Sequence, residues 1–123
     1  MVPGAKCIAS GLAKNFTIES LNIKGNIIGD QGIILLANAL KESKSSLREL
    51  DISLNEIGPV GFQALCEVLP ITKLTTLVCA KNFLGDEILT IFAQLLAKTN
   101  LKRFDLSSCR LNDAGLIHLI EAL

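Results

Sequence analysis

At 123 residues, with half of them hydrophobic and 4 % aromatic, the chain is long enough for one domain whose core is built mainly from aliphatic side chains. Twelve basic and twelve acidic residues give a formal net charge of zero, so no overall excess of cations exists for binding a phosphate backbone. No apolar run approaches the length of a membrane span, about eighteen residues. Composition therefore predicts a cytoplasmic domain with neither a membrane nor a nucleic acid as its partner.

In the stretch 47–69, apolar residues recur first with one spacing and then with another. Leu50 and Ile52 alternate with polar residues, which is the pattern of a β-strand. After Gly58 the apolar residues are spaced three and four apart, which is the pattern of a helix. One unit of the chain therefore holds a short strand, a turn at Asn55 and a helix.

The same unit recurs along the chain, in repeats predicted to span 18–46, 47–73, 74–100 and 101–123. Residues 1–17 match only the helical part of the unit, so we interpret them as a half repeat. Repeat arrays normally end in capping repeats with a polar outer face, and neither end of this sequence has one. The sequence thus predicts a single domain that is a fragment of a longer array.

The unit reads LxxLxLxxNxL followed by a helix, and it resembles the leucine-rich repeat of the ribonuclease-inhibitor type over essentially the whole chain. The resemblance implies an α/β fold, a curved right-handed solenoid with a parallel sheet on the concave face and helices on the convex face. Three positions depart from the pattern. Cys109 replaces a turn asparagine, Ile88 a glycine at a helix start, and Pro59 an aspartate.

Polar residues recur at two positions of the unit where the backbone needs partners. Asn26, Asn55 and Asn82 fall where the strand bends into the turn, and their amides are predicted to form a buried ladder that Cys109 continues. The aspartates just ahead of three helices are predicted to cap them: Asp30, Asp86 and Asp113. Both groups are expected to serve the fold rather than chemistry.

Catalytic, metal-binding and cofactor-binding motifs were not found in the sequence. The cysteines lack the CxxC spacing and are predicted to be reduced thiols in the core: Cys7, Cys66, Cys79 and Cys109. His118, on the last predicted helix, has no nearby ligand partner and is predicted to pack in the core or at its rim. The sequence therefore predicts a protein that is not an enzyme and binds no cofactor.

Strand residues that alternate with the core residues are predicted to form three columns on the inner face of the sheet. The columns are Ser20, Glu49, Thr76 and Arg103; Asn22, Asp51, Val78 and Asp105; and Lys24, Ser53, Ala80 and Ser107. These side chains are expected to have no structural role, so they are free to suit a partner. The candidate partner-binding residues are Glu49, Asp51, Thr76, Val78, Arg103 and Asp105.

The predicted function is a non-enzymatic intracellular scaffold that binds a protein partner through the concave strand face. One alternative is a GTPase-activating protein of the Ran-activating type, because that protein resembles this chain in its repeats. Another is a structural spacer within a larger receptor, with a solvated strand face. Self-association through the edge strands, at 18–24 and 101–107, is also predicted, because edge strands expose unpaired backbone groups.

Overall fold

The computed structural model describes residues 2–14, 17–42, 45–107 and 109 of the chain. Helices and strands alternate in the order α1 (Val2–Lys14), β1 (Ser20–Asn22), α2 (Gly29–Glu42), β2 (Glu49–Asp51), α3 (Pro59–Val68), β3 (Thr76–Val78), α4 (Glu87–Leu96) and β4 (Arg103–Asp105). A 3₁₀ turn at Leu69–Ile71 follows α3 directly. In these ranges no helix combines the length and the apolar character needed to cross a membrane. The helix predicted after Asp113, with His118, lies outside the described residues.

The four strands form one parallel sheet in sequence order, β1-β2-β3-β4. Leu50 on β2 pairs with Leu21 on one side and with Leu77 on the other, so neighbouring strands are offset by one whole repeat. The helices pack in the same order, α1 on α2, α2 on α3 and α3 on α4. The predicted α/β solenoid is therefore confirmed. Strands lie about 4.8 Å apart and helices need about 8–10 Å each, so the array bends toward the sheet.

Each strand is three residues long, which is shorter than the edge segments 18–24 and 101–107 expected from the sequence. Backbone hydrogen bonds between repeats nevertheless continue beyond the strands, as where the Ile52 amide donates to the Val78 carbonyl over 2.8 Å. Within the described sheet β1 and β4 are the terminal strands. Self-association through them stays a prediction.

The core lies between the sheet and the helices and is built from aliphatic side chains with one aromatic row. The ring centroids of Phe62 and Phe92 are 5.6 Å apart, and those of Phe92 and Phe104 are 5.3 Å apart with an edge-to-face geometry. Such aromatic pairs add stability beyond the burial of their area. The row joins three successive repeats through α3, α4 and β4.

The asparagine ladder is confirmed. Asn55 Oδ1 accepts a hydrogen bond from the Asn26 amide over 2.9 Å, and Asn82 Oδ1 accepts one from the Asn55 amide over 3.0 Å. The Cys109 thiol then donates to the Cys79 carbonyl over 2.9 Å, which continues the row. Asn55 and Asn82 are buried, but Asn26 is exposed, because it lies in the first turn of the described ladder.

Asp30 caps the helix of the next repeat, α3, rather than its own helix, α2. The prediction that it caps its own helix is therefore wrong. Its Oδ1 atom accepts hydrogen bonds from the amides of Gly58 over 2.7 Å and Gly61 over 3.1 Å, at the start of α3. This carboxylate therefore meets the positive end of the neighbouring helix dipole. Asp86 makes no side-chain cap hydrogen bond at the start of α4, and Asp113 lies outside the described residues.

Gly61 permits the close approach of α3 to α2. A Cβ atom added there would be 2.5 Å from Asp30 Oδ1 and would overlap the side chain of Ile33. The glycine is therefore required at this point of α3 by its packing against α2, although Ile88 occupies the same point of the next unit.

Three of the four cysteines are buried, namely Cys66, Cys79 and Cys109. Cys7 is exposed, which corrects its predicted place in the core. It lies on α1, and among the described helices α1 has a helical neighbour on one side only.

Thiol reactivity is expected to follow this burial. Burial raises the pKa of the Cys66 thiol to about 12 and raises the pKa of Cys79 further, so both remain protonated at pH 8. Iodoacetamide at pH 8 should therefore alkylate Cys7 in the native protein and modify Cys66 and Cys79 only after urea is added. Peptide mass spectrometry at several times checks this. Alkylation of Cys66 as fast as Cys7 in the native state would contradict it.

Candidate functional site

Strand pairing brings the six predicted partner-binding residues together in two adjacent columns. The backbone register aligns Ser20, Glu49, Thr76 and Arg103 in one column, and Asn22, Asp51, Val78 and Asp105 in the other. Between the columns, Leu50 and Leu77 are buried, so the column side chains lie on the sheet face opposite the helices. We call this surface the strand face.

A groove of about 210 Å³ crosses the strand face over β1, β2 and β3. The column residues that line it are Ser20, Asn22, Glu49, Asp51, Thr76 and Val78. Four of the six predicted residues are among them. Arg103 and Asp105 lie on β4 and do not line the groove.

The second column has a structural role that the sequence analysis missed. Asp51 Oδ1 accepts a hydrogen bond from the Ser53 amide over 3.0 Å, and Asp105 Oδ1 accepts one from the Ser107 amide over 2.9 Å. The Ser107 hydroxyl also donates to this carboxylate, and the two hydrogen bonds lower the pKa of Asp105. The expectation of no structural role is therefore wrong for these residues. The sequence did contain a signal for this role, because an Asp side chain often accepts a hydrogen bond from the backbone amide two residues later.

Val78, in the same column, cannot accept a hydrogen bond from the amide two residues later, so the neighbouring repeat supplies the acceptor. The Ala80 amide donates to Ser53 Oγ over 3.0 Å, and Ser53 is only 3 % exposed. Ser53, in the third column, thus also serves the fold.

Glu49 and Arg103 are exposed at the two sides of the half-buried Thr76, and no hydrogen bond engages their side chains within the described residues.

The strand face can offer charge pairing and hydrogen bonding, with an acidic side at Glu49 and Asp51. In the part of the chain that the structure describes, no group of three His, Cys, Asp or Glu side chains could hold a metal ion. His118 lies outside that part.

A second recess, which the sequence analysis did not identify, lies at the edge of the sheet where the strands begin. Its volume is about 570 Å³, and its charged lining residues are Arg48, Lys73 and Lys102. Arg48 and Lys102 occupy the same position of the repeat, immediately before a strand. That shared position was the available sequence signal.

A family model described as Leucine Rich repeat matches residues 14–37, 43–66 and 97–119, which together are more than half of the chain. The chain belongs to the leucine-rich repeat family. The matched segments omit residues 67–96, where the structure places β3 and α4. The strand and helix of a leucine-rich repeat are therefore present in the structure outside the matched segments as well.

Two relatives and one solved structure resemble this leucine-rich repeat chain. Human NACHT, LRR and PYD domains-containing protein 12 is 34 % identical over 149 residues, covering 94 % of the chain and 14 % of that protein. Ribonuclease inhibitor from Sus scrofa is 27 % identical and covers 98 % of the chain and 33 % of its own length. The structure of leiomodin-1 actin-binding site 2 covers the whole chain with a TM-score of 0.84 at 17 % identity, which shows the same fold. The chain thus spans one third or less of the two relatives.

Proposed function

We propose that this leucine-rich repeat segment is a non-enzymatic interaction module that binds a protein partner across its strand face. The observation that carries the proposal is the row of Glu49, Thr76 and Arg103, which pair in register on three adjacent strands and have exposed charges at the two ends. A partner segment lying across the strands would meet an acid, a hydroxyl and a base in that order. The names of two similar proteins, an inhibitor of a ribonuclease and an actin-binding site, support a protein as the class of partner.

The groove beside this row gives the partner a place for one side chain. Glu49 and Asp51 make its rim acidic, whereas Val78 contributes an apolar wall. A basic side chain with an aliphatic stem fits both features, because its stem can pack on Val78 while its charge pairs with the carboxylates. We therefore infer that a lysine or an arginine of the partner enters the groove.

We place the activity in the cytoplasm. Cys66, Cys79 and Cys109 are buried without forming a disulfide, and such usage suits a reducing compartment.

Affinity capture with paired variants tests the strand face. The bait is the 123-residue chain, used as wild type and as the strand-face variant Glu49→Lys/Arg103→Glu. The control, Glu67→Lys/Lys98→Glu, makes the same charge changes at exposed positions outside the strand face, on α3 and just after α4. At least one protein from an extract of the source cells should be retained by the wild type and the control and lost from the strand-face variant. The same captured proteins on all three baits would overturn the proposal and favour a spacer.

A further inference from the structure

The recess at the start of the strands, which we call the basic recess, has no acidic side chain in its lining. It is formed by the loops that lead into β2, β3 and β4, and its polar lining residues are Arg48, Lys73, Thr75, Thr99, Asn100 and Lys102. Three positive charges therefore surround one opening in a chain whose net charge is zero.

The uncharged groups of the basic recess are already engaged in the fold. Thr75 Oγ1 donates to the Arg48 carbonyl over 3.3 Å, Thr99 Oγ1 to the Leu96 carbonyl over 2.9 Å, and Asn100 Nδ2 to the Thr72 carbonyl over 2.8 Å.

The cations are not engaged in this way. Within residues 2–14, 17–42, 45–107 and 109, no carboxylate forms an ion pair with Arg48, Lys73 or Lys102. All three are exposed, so their charges are available to a ligand.

The spacing of the cations follows from the repeat. The Thr75 amide donates to the Arg48 carbonyl over 2.8 Å, and the Lys102 amide donates to the Thr75 carbonyl over 2.8 Å. Arg48 and Lys102 are therefore two strand spacings apart, which is about 10 Å between their backbones. That separation suits a ligand with several separate negative charges better than a single small anion.

We propose that the basic recess binds an acidic peptide segment of a protein partner, at a site distinct from the strand face. On a peptide in the polyproline II conformation, carboxylates three residues apart lie on one face and are separated by about 9 Å, which suits the spacing of Arg48 and Lys102. Glu19 occupies the same position of the repeat ahead of β1, so the row of cations ends there in a negative charge. A nucleic acid, whose phosphates continue past Arg48, would meet the charge of Glu19, whereas a short acidic segment can end at Arg48.

Fluorescence anisotropy with a fluorescein-labelled peptide of repeated Glu-Pro-Pro, which carries one carboxylate in every three residues, tests the site. The peptide should bind the 123-residue chain, and Lys73→Glu/Lys102→Glu should weaken binding about tenfold, because attraction becomes repulsion at two positions. The control Lys6→Glu/Lys41→Glu makes the same change of charge at exposed positions elsewhere and should stay within about twofold of the wild type. A Lys73→Gln/Lys102→Gln variant, which removes the charges without reversing them, should show a smaller loss in the same direction.

Several outcomes would overturn the proposal. Equal loss in the two Glu variants would show that only net charge matters. Displacement of the peptide by inorganic phosphate at the same concentration would assign the recess to a single small anion. Tighter binding of a single-stranded oligothymidine would assign it to nucleic acid, and no binding of the peptide would leave the recess without the proposed ligand.

Discussion

Asn55→Ala is expected to lower the free energy of unfolding by about 3–5 kcal/mol, because one buried amide satisfies five backbone groups. Its Oδ1 atom accepts from the amides of Asn26 and Ile28 over 2.9 and 3.4 Å. Its Nδ2 atom donates to the carbonyls of Ile23, Ile52 and Ser53 over 3.0 to 3.1 Å. The side chain is fully buried, so water cannot replace it without opening the turn.

Urea unfolding followed by circular dichroism measures this loss, with Asn26→Ala as the control. Asn26 Nδ2 also donates to two carbonyls, those of Ile23 and Lys24, but the residue is exposed. Water can replace these bonds, so the control should cost about 1 kcal/mol. Equal losses in the two variants would mean that burial of the ladder adds nothing to its strength.

The architecture could be predicted from the sequence because its causes are local and repeated. Leu50 and Leu77 occupy the same place in successive units. In each unit, apolar residues recur first every two residues and then about every 3.6 residues, which defines a strand and a helix without any long-range information. The stacking register then follows, since each Asn needs the next turn as its partner. The columns of the strand face were predicted for the same reason.

The errors concern contacts between neighbouring repeats. Asp30 precedes helix residues of its own unit, so the sequence indicates a local cap, but the close packing that Gly61 permits directs the carboxylate to α3. The hydrogen bond from the Ala80 amide to Ser53 Oγ likewise cannot be predicted from one unit. It forms between repeats because Val78 has no side-chain acceptor for that amide. The basic recess needs three loops at once, and no single repeat contains all three of its charges.

Leu50→Asp is expected to have the largest effect of any single change considered, a loss of at least about 5 kcal/mol that leaves the chain unfolded at neutral pH. Leu50 is 2 % exposed at the centre of the sheet, in register between Leu21 and Leu77, so the new carboxylate would be buried without a partner. Burial would raise its pKa in the folded state above the unfolded value of about 3.9. The penalty should therefore be smallest below about pH 4 and should grow as the pH rises through the folded-state pKa.

Leu54→Asp provides the matched control, four residues further along the chain. Leu54 is 41 % exposed and has a φ of 55°, a left-handed conformation that aspartate adopts more readily than leucine. This variant should unfold at the same urea concentration as the wild type or slightly above it. The same substitution thus has opposite consequences at two nearby leucines, because one is a core position of the repeat and the other an exposed turn. A cooperative unfolding transition at the wild-type midpoint in Leu50→Asp would contradict the assignment of the strand leucines to a single core between sheet and helices.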